Sequence, residues 1–179
     1  MFLRASADVR LLVTTLAMTP VRLSFVCLGN ICRSPMAQGV FENLVAASGR
    51  SGDFQIESAG VGSWHVGQAP DRRALATAKA HGLTLTSRAQ QIQRRDFARL
   101  DMVIALDSEV ADELRRLAPT PTDRAKVRLL REFDPIRSGR TGDLDVPDPY
   151  YGDTAGFEDA YQMIERACRG LLETIQPPT

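Results

Sequence analysis

From residue 21 onward, short apolar runs alternate with stretches in which apolar residues recur every third or fourth position. Residues 23–27, with Leu23, Phe25, Val26 and Cys27, read as a buried strand. Met36, Ala37, Val40, Phe41, Leu44 and Val45 then repeat at helical spacing over residues 35–47. Ser34 followed by Pro35 looks like a hydroxyl N-cap with proline at the first helical position, and Gly49 is a terminator. Residues 54–59 alternate like a strand and stop at Gly60. Pro70-Asp71 opens a second helix, carried by Ala74, Leu75 and Ala78 and closed by Gly82. A short helix is expected over 94–99 and an apolar strand over 102–106. Asp107-Ser108 then caps a helix that runs up to Pro119, and 127–130 is the last strand. Phe157, Tyr161, Ile164, Cys168, Leu171 and Ile175 step by four and three, marking one face of a long final helix.

Strands alternating with helices predict an α/β fold of three layers, a four-stranded parallel sheet flanked by helices in a Rossmann-like or flavodoxin-like arrangement. Residues 133–156 break the rhythm: four glycines, three prolines and no period. A loop that long in a compact domain is usually functional. In such sheets ligands bind beyond the carboxyl ends of the strands, and Cys27 falls at that edge.

Residues 21–179 are expected to form one domain, and residues 1–20 a weakly ordered N-terminal extension. Leu11-Leu12-Val13-Thr14-Thr15-Leu16-Ala17 is too short for a bilayer span and, with its two threonines and the preceding Asp8 and Arg10, a poor secretory signal. With 22 basic and 22 acidic side chains the formal charge is zero, so no net field recruits nucleic acid or an anionic membrane. The three cysteines are not placed as a secreted disulfide framework, which points to a cytoplasmic protein with a reduced thiol.

The chemistry concentrates in Cys27-Leu28-Gly29-Asn30-Ile31-Cys32-Arg33-Ser34. Cys27 sits between a strand end and a helix start, where backbone N–H groups and the helix dipole favour thiolate over thiol. The same N–H groups over residues 28–33, with the planar Arg33 fork, suit a tetrahedral oxyanion. A nucleophilic thiolate facing a phosphate cradle is equipment for phosphoryl transfer through a phosphocysteine. Ser34 can cap the helix and also donate to the thiolate. Asn30 can take the left-handed backbone of a tight loop and tie it shut. Zinc is disfavoured: no second cysteine pair follows, and only His65 and His81 are available, both read as structural. Cys168 lies on the apolar stripe of the last helix. A leaving group needs a general acid, and Asp143, Asp145, Asp148 and Asp153 all qualify by residue type, with Pro149 mildly favouring Asp148.

The loop sequence resembles the active-site loop of the low-molecular-weight protein tyrosine phosphatases. The likeness continues through Ser58-Ala59-Gly60, Trp64-His65-Val66-Gly67, His81-Gly82 and Asp148-Pro149-Tyr150-Tyr151-Gly152, covering roughly residues 21–175. It implies hydrolysis of phosphotyrosine in proteins, and of small aryl phosphates, with no cofactor and no metal. Tyrosine-phosphorylated proteins would be the partners, and inorganic phosphate both product and ligand. The resemblance selects Asp148 as the acid and makes Trp64 and Tyr150 walls of a slot for a flat ring, with Ile31 on the loop and Tyr151 as wall or support. It also casts Cys32 as a redox guard that can bond Cys27 under oxidation. Three rivals stand beside this reading. An arsenate reductase on the same scaffold needs further downstream cysteines, and only Cys168 follows. A protein-arginine phosphatase tends to carry threonine where this chain has Ile31. A redox-sensing or phosphate-binding module without turnover would not need Cys27, Arg33 and Asp148 together.

Overall fold

In a computed structural model, which describes residues 19–136 and 144–175, the expected three-layer architecture is found. Strands β1 (Val21–Cys27), β2 (Phe54–Gly60), β3 (Met102–Ala105) and β4 (Val127–Leu129) form one parallel sheet in the order β2-β1-β3-β4. The helices are α1 (Arg33–Ala47), α2 (Arg72–Ala80), α3 (Ser108–Leu117), α4 (Pro121–Ala125) and α5 (Thr154–Thr174). Alternation along β1 divides the core. Leu23 and Phe25 pack with Met36 and Phe41 of α1 and with Phe157 and Ile164 of α5, whereas Val26 points to the opposite face, with Val103, Val110 and Leu114. Phe41 meets Phe25 and Phe54 edge-on, with centroids 5.6 and 5.4 Å apart. β1 is thus central, covered on both faces, and its C-terminal residue Cys27 lies opposite Gly60 of β2.

The stripe predicted for α5 is buried at Phe157, Tyr161, Ile164, Cys168 and Leu171. The helix begins earlier than the stripe does, because Asp153 caps it by accepting from Gly156 N at 3.2 Å. β1 likewise starts two residues before its apolar run: Val21 and Arg22 pair with Phe54 and Gln55 but are only half-buried, so they lack the apolar signature. The start of α1 differs from expectation in a way that matters. Cys32, not Ser34, precedes the first helical residue, so Pro35 is third and the Ser34 side chain caps nothing. The 94–99 helix is a 3₁₀ turn over Arg94–Ala98. Helix α4 was not expected; five residues are too few for a periodic signal, although Thr120 and Pro121 carry its capping signature. The long 133–156 loop holds a 3₁₀ turn at Pro149–Tyr151. Of the expected N-terminal extension only Thr19 and Pro20 fall among the described residues.

Candidate active site

The segment between β1 and α1 folds back under the end of β2. Asn30 takes φ = 55°, the left-handed region that asparagine tolerates better than most residues. Its amide holds the loop closed. Nδ2 donates to Ser34 Oγ (2.8 Å) and Ser58 Oγ (3.0 Å), and Oδ1 accepts from Gln90 N (2.9 Å). Ser58 in turn donates to Gln38 Oε1 at 2.7 Å. Val61 N and Gly62 N donate to the carbonyls of Cys27 and Leu28. The approach is close enough that a Cβ at Gly60 would lie 2.9 Å from Leu28 O and 3.0 Å from Asn30 N. The sequence pointed to Asn30 as the tie, but not to Ser58 and Gln90 as its partners. They belong to segments that only the sheet topology brings to this edge.

Cys27 is 3% exposed, and its Sγ lies 3.0 Å from Ser34 Oγ. The Ser34 oxygen already accepts from Asn30 and lies 3.2 Å from Ala59 O, a second acceptor within reach of its single hydrogen. When Cys27 is a thiolate, sulfur has no proton to give, so that hydrogen must come from Ser34. Of the two tasks expected of Ser34, capping is absent, and a contact with the sulfur is present. Cys32 is also buried. Burial first, and Asp71 second, push its thiol from 9.0 up to about 12, so it stays protonated at neutral pH.

Arg33 is almost wholly buried. Nη1 donates to Asp107 Oδ2 (2.6 Å) and Val146 O (2.9 Å), Nη2 donates to Asp148 Oδ2 (3.0 Å), and Nε has no partner among the described residues. Burial works against the guanidinium charge, but Cys27, Asp148 and Asp107 outweigh it and hold its pKa above the ordinary value. Asp107 does double duty, capping α3 through Oδ1 from Val110 N (2.7 Å) while Oδ2 fixes Arg33. Sequence reasoning saw only the cap. The available signal was that a carboxylate directly after β3 must sit at the same sheet edge as Cys27.

The carboxylates of the long loop separate cleanly. Asp145 accepts from Ser108 N (2.8 Å) and Ser108 Oγ (3.0 Å), and Asp153 caps α5, so both are held as anchors. Asp143 lies outside the described residues. Asp148 accepts from Tyr150 N (3.1 Å) through Oδ1, presents Oδ2 to Arg33, and stays 36% exposed.

A cavity of about 260 Å³ opens over this arrangement. Cys27, Ile31 and Arg33 contribute to its floor and Trp64, His65, Asp148, Tyr150 and Tyr151 to its sides. The expected slot residues are therefore together, with two adjustments. Tyr151 is 94% exposed and meets Tyr150 edge-on at 5.0 Å, so it stands at the rim of the cavity. His65, read as purely structural, lines the cavity as well: its ring packs where a Gly29 Cβ would be, and Nδ1 pairs with Gln68 Oε1. His81 is structural, pairing with Glu158 and stacking on Tyr161 at 3.9 Å. Cys168 is fully buried, with its thiol toward Ala37 O on α1, and burial pushes its pKa far up.

Among the described residues, no cluster of three His, Cys, Asp or Glu side chains is arranged for a metal ion, and no helix is long and apolar enough to cross a membrane. Residues 22–178 match the family described as low molecular weight phosphotyrosine protein phosphatase. A low molecular weight protein-tyrosine-phosphatase of Streptomyces coelicolor is 51% identical over 155 residues, 87% of this chain and 93% of that protein. The crystal structure of a protein tyrosine phosphatase from Entamoeba histolytica superimposes with a TM-score of 0.79 at 33% identity, covering 86% of this chain and 95% of that one. A Drosophila arginine phosphatase superimposes at 0.76 with 34% identity, over 84% and 95% of the two chains. With a matching family profile over nearly all of the described residues and the fold and loop just set out, this chain belongs to the low-molecular-weight protein-tyrosine phosphatase family.

Proposed function

We propose that the chain hydrolyses phosphotyrosine in proteins through a phosphocysteine formed on Cys27. The observation that carries the reading is the convergence of Cys27, Arg33 and Asp148 on one cavity at the carboxyl edge of the sheet. In the first step Cys27 Sγ attacks phosphorus in line with the departing phenolic oxygen. The S–P bond forms as the P–O bond breaks, and Asp148 gives its proton to the leaving oxygen. Arg33 and the amides of residues 28–33 hold the equatorial oxygens as charge shifts onto them. The unpartnered Nε of Arg33 is a donor available to such an oxygen, and protonation of Asp148 loosens its hold on Nη2, a second donor. Ser34 donates to the sulfur when it leaves again as thiolate. In the second step Asp148, now a carboxylate, takes a proton from water as that water attacks phosphorus, and inorganic phosphate departs.

Asp107 fixes the other side of Arg33, so the guanidinium plane does not depend on substrate for its orientation. Trp64 and Tyr150 flank the opening above Cys27, and Ile31 adds apolar surface. Stacking and burial of a phenyl ring there should contribute about 1–3 kcal/mol. The longer, flat phosphotyrosine side chain reaches the buried sulfur where phosphoserine stops short. Cys32 lines the same cavity as Cys27, and its thiol can condense with a Cys27 sulfenic acid, releasing water and guarding the nucleophile against over-oxidation. A working thiolate of this kind fits a reducing, cytoplasmic compartment.

The test is parallel hydrolysis of p-nitrophenyl phosphate and of phosphotyrosyl, phosphoseryl and phosphoarginyl peptides, with EDTA present. Phosphotyrosyl peptides should be strongly preferred, and Trp64→Ala should weaken them chiefly through KM. Comparable kcat/KM for phosphoserine would remove the tyrosine assignment while leaving the cysteine mechanism intact. Preference for phosphoarginine would move the substrate to the second class.

A further inference from the structure

Asp148 sits on a turn outside the hydrophobic core, yet its carboxylate must meet a leaving oxygen over Cys27 within a few tenths of an ångström to transfer a proton. Among the described residues, the hydrogen bonds that reach the 148–152 turn from elsewhere in the fold come from Arg33 and from Arg73. Arg33 holds the Asp148 carboxylate itself, a bond that loses its ionic part when Asp148 is protonated. Arg73 holds the backbone and is untouched by that step. Its Nη1 donates to Gly152 O at 3.1 Å and its Nη2 to Tyr150 O at 3.0 Å.

Arg73 is itself fixed. Nε and Nη2 donate to the two oxygens of Asp71, each at 3.1 Å, while Asp71 caps α2 by accepting from Arg73 N at 2.8 Å. The guanidinium carbon lies 4.6 Å from the centre of the Phe157 ring and 5.8 Å from that of Tyr150. On the other side Asp71 N donates to Ile31 O at 2.7 Å, a carbonyl of the phosphate loop. An unbroken path of hydrogen bonds therefore runs from the loop that faces the phosphoryl group, through the start of α2, to the turn that carries the acid and the Tyr150 wall.

We propose that Arg73 is a positioning residue that sets the placement of Asp148 and Tyr150 relative to Cys27 by clamping the acid-bearing turn to the phosphate loop. This rests on the reading of Asp148 as the acid. A lysine in its place keeps the charge and much of the packing on Phe157, but one ammonium cannot match the planar fork that serves Asp71 and two carbonyls together.

The experiment compares kcat/KM for phenyl phosphate, a poor leaving group, with that for p-nitrophenyl phosphate, a good one. It is run in the wild type, Arg73→Ala, Arg73→Lys, Asp148→Ala and the double variant Arg73→Ala/Asp148→Ala. Arg73→Ala should lose about tenfold more on phenyl phosphate than on p-nitrophenyl phosphate, because only the former depends on a well-placed proton. Arg73→Lys should show the same bias at smaller size, and it carries the test should the alanine variant fail to fold. In the double variant the bias should equal that of Asp148→Ala alone. If Asp148→Ala shows the bias and neither Arg73 variant does, whatever their melting temperatures, the positioning role falls. If Asp148→Ala shows no bias, the acid assignment falls and the positioning role with it.

Discussion

The phosphate loop and the acid-bearing turn face each other across one cavity and are built in opposite ways. On the loop side Cys27, Asn30, Ile31, Cys32, Arg33 and Ser34 are all at most 9% exposed, and the Asn30 side chain makes three hydrogen bonds, two of them buried. On the turn side Asp148 is 36% exposed, Tyr150 39% and Tyr151 94%, and two arginines tie the segment to the fold. The difference suits the tasks proposed for them. Binding an anion in a buried site requires dipoles already in place, since turning them during the reaction would cost the energy they supply. Protonating a leaving group requires a carboxylate beside the opening through which the substrate enters.

If the comparison holds, substitutions on the two sides should fail differently. Cys27→Ser should have the largest effect on turnover, a loss of about four orders of magnitude or more in kcat. The serine keeps the contact with Ser34, so the melting temperature should stay within about 2 °C of wild type. Turnover within tenfold of wild type would remove covalent catalysis by Cys27. Next, Asp148→Ala should lower kcat/KM for phenyl phosphate by about 10²-fold or more and p-nitrophenyl phosphate much less, with stability changed by under about 0.5 kcal/mol. Equal losses on both would break the assignment of the turn.

A change inside the loop should instead damage stability and activity together. Asn30→Ala removes three side-chain hydrogen bonds, two of them buried, and leaves a residue poorly suited to φ = 55°, for an expected loss of about 3 kcal/mol by urea titration. Asn30→Gly relieves the backbone but not the lost bonds and should fall between alanine and wild type. Identical losses would assign the whole effect to hydrogen bonding. The smallest effect is alkaline. Burial raises Cys32 from 9.0 and Tyr161 from 10.0, each to about 12. Acids whose folded pKa is raised keep stability whole below their unfolded pKa and lose it as pH climbs toward the folded one. Urea midpoints should therefore decline between about pH 9 and 12, less steeply in Cys32→Ala.

The phosphate loop and the sheet were legible because each rests on local pattern: apolar or alternating strands, helices with apolar residues every third or fourth position, and a cysteine, five residues and an arginine between a strand and a helix. What stayed hidden depends on segments far apart in sequence. Asp107 lies 74 residues from Arg33, and Gln90 lies 60 from Asn30. Their meeting is fixed by β2 and β3 flanking β1, which no local window contains. Ser34 shows a subtler failure. Serine before proline is a sound capping signal, but here the hydroxyl is claimed by sulfur and asparagine, and the helix starts earlier without a side-chain cap. The path through Arg73 was invisible for a similar reason, since it ends on backbone carbonyls that carry no sequence identity.

The different surroundings of the three buried thiols bear on how this protein can be probed. Cys32 and Cys168 are both held protonated far above neutral pH, and a protonated thiol is a poor nucleophile. A slow electrophile such as iodoacetate, itself an anion drawn to the Arg33 cradle, should therefore mark Cys27 alone. Intact mass would then show a single adduct per chain, and the labelled fraction would count competent sites in any preparation. Phosphate should slow the labelling in proportion to its occupancy, so the rate of one alkylation becomes a binding isotherm.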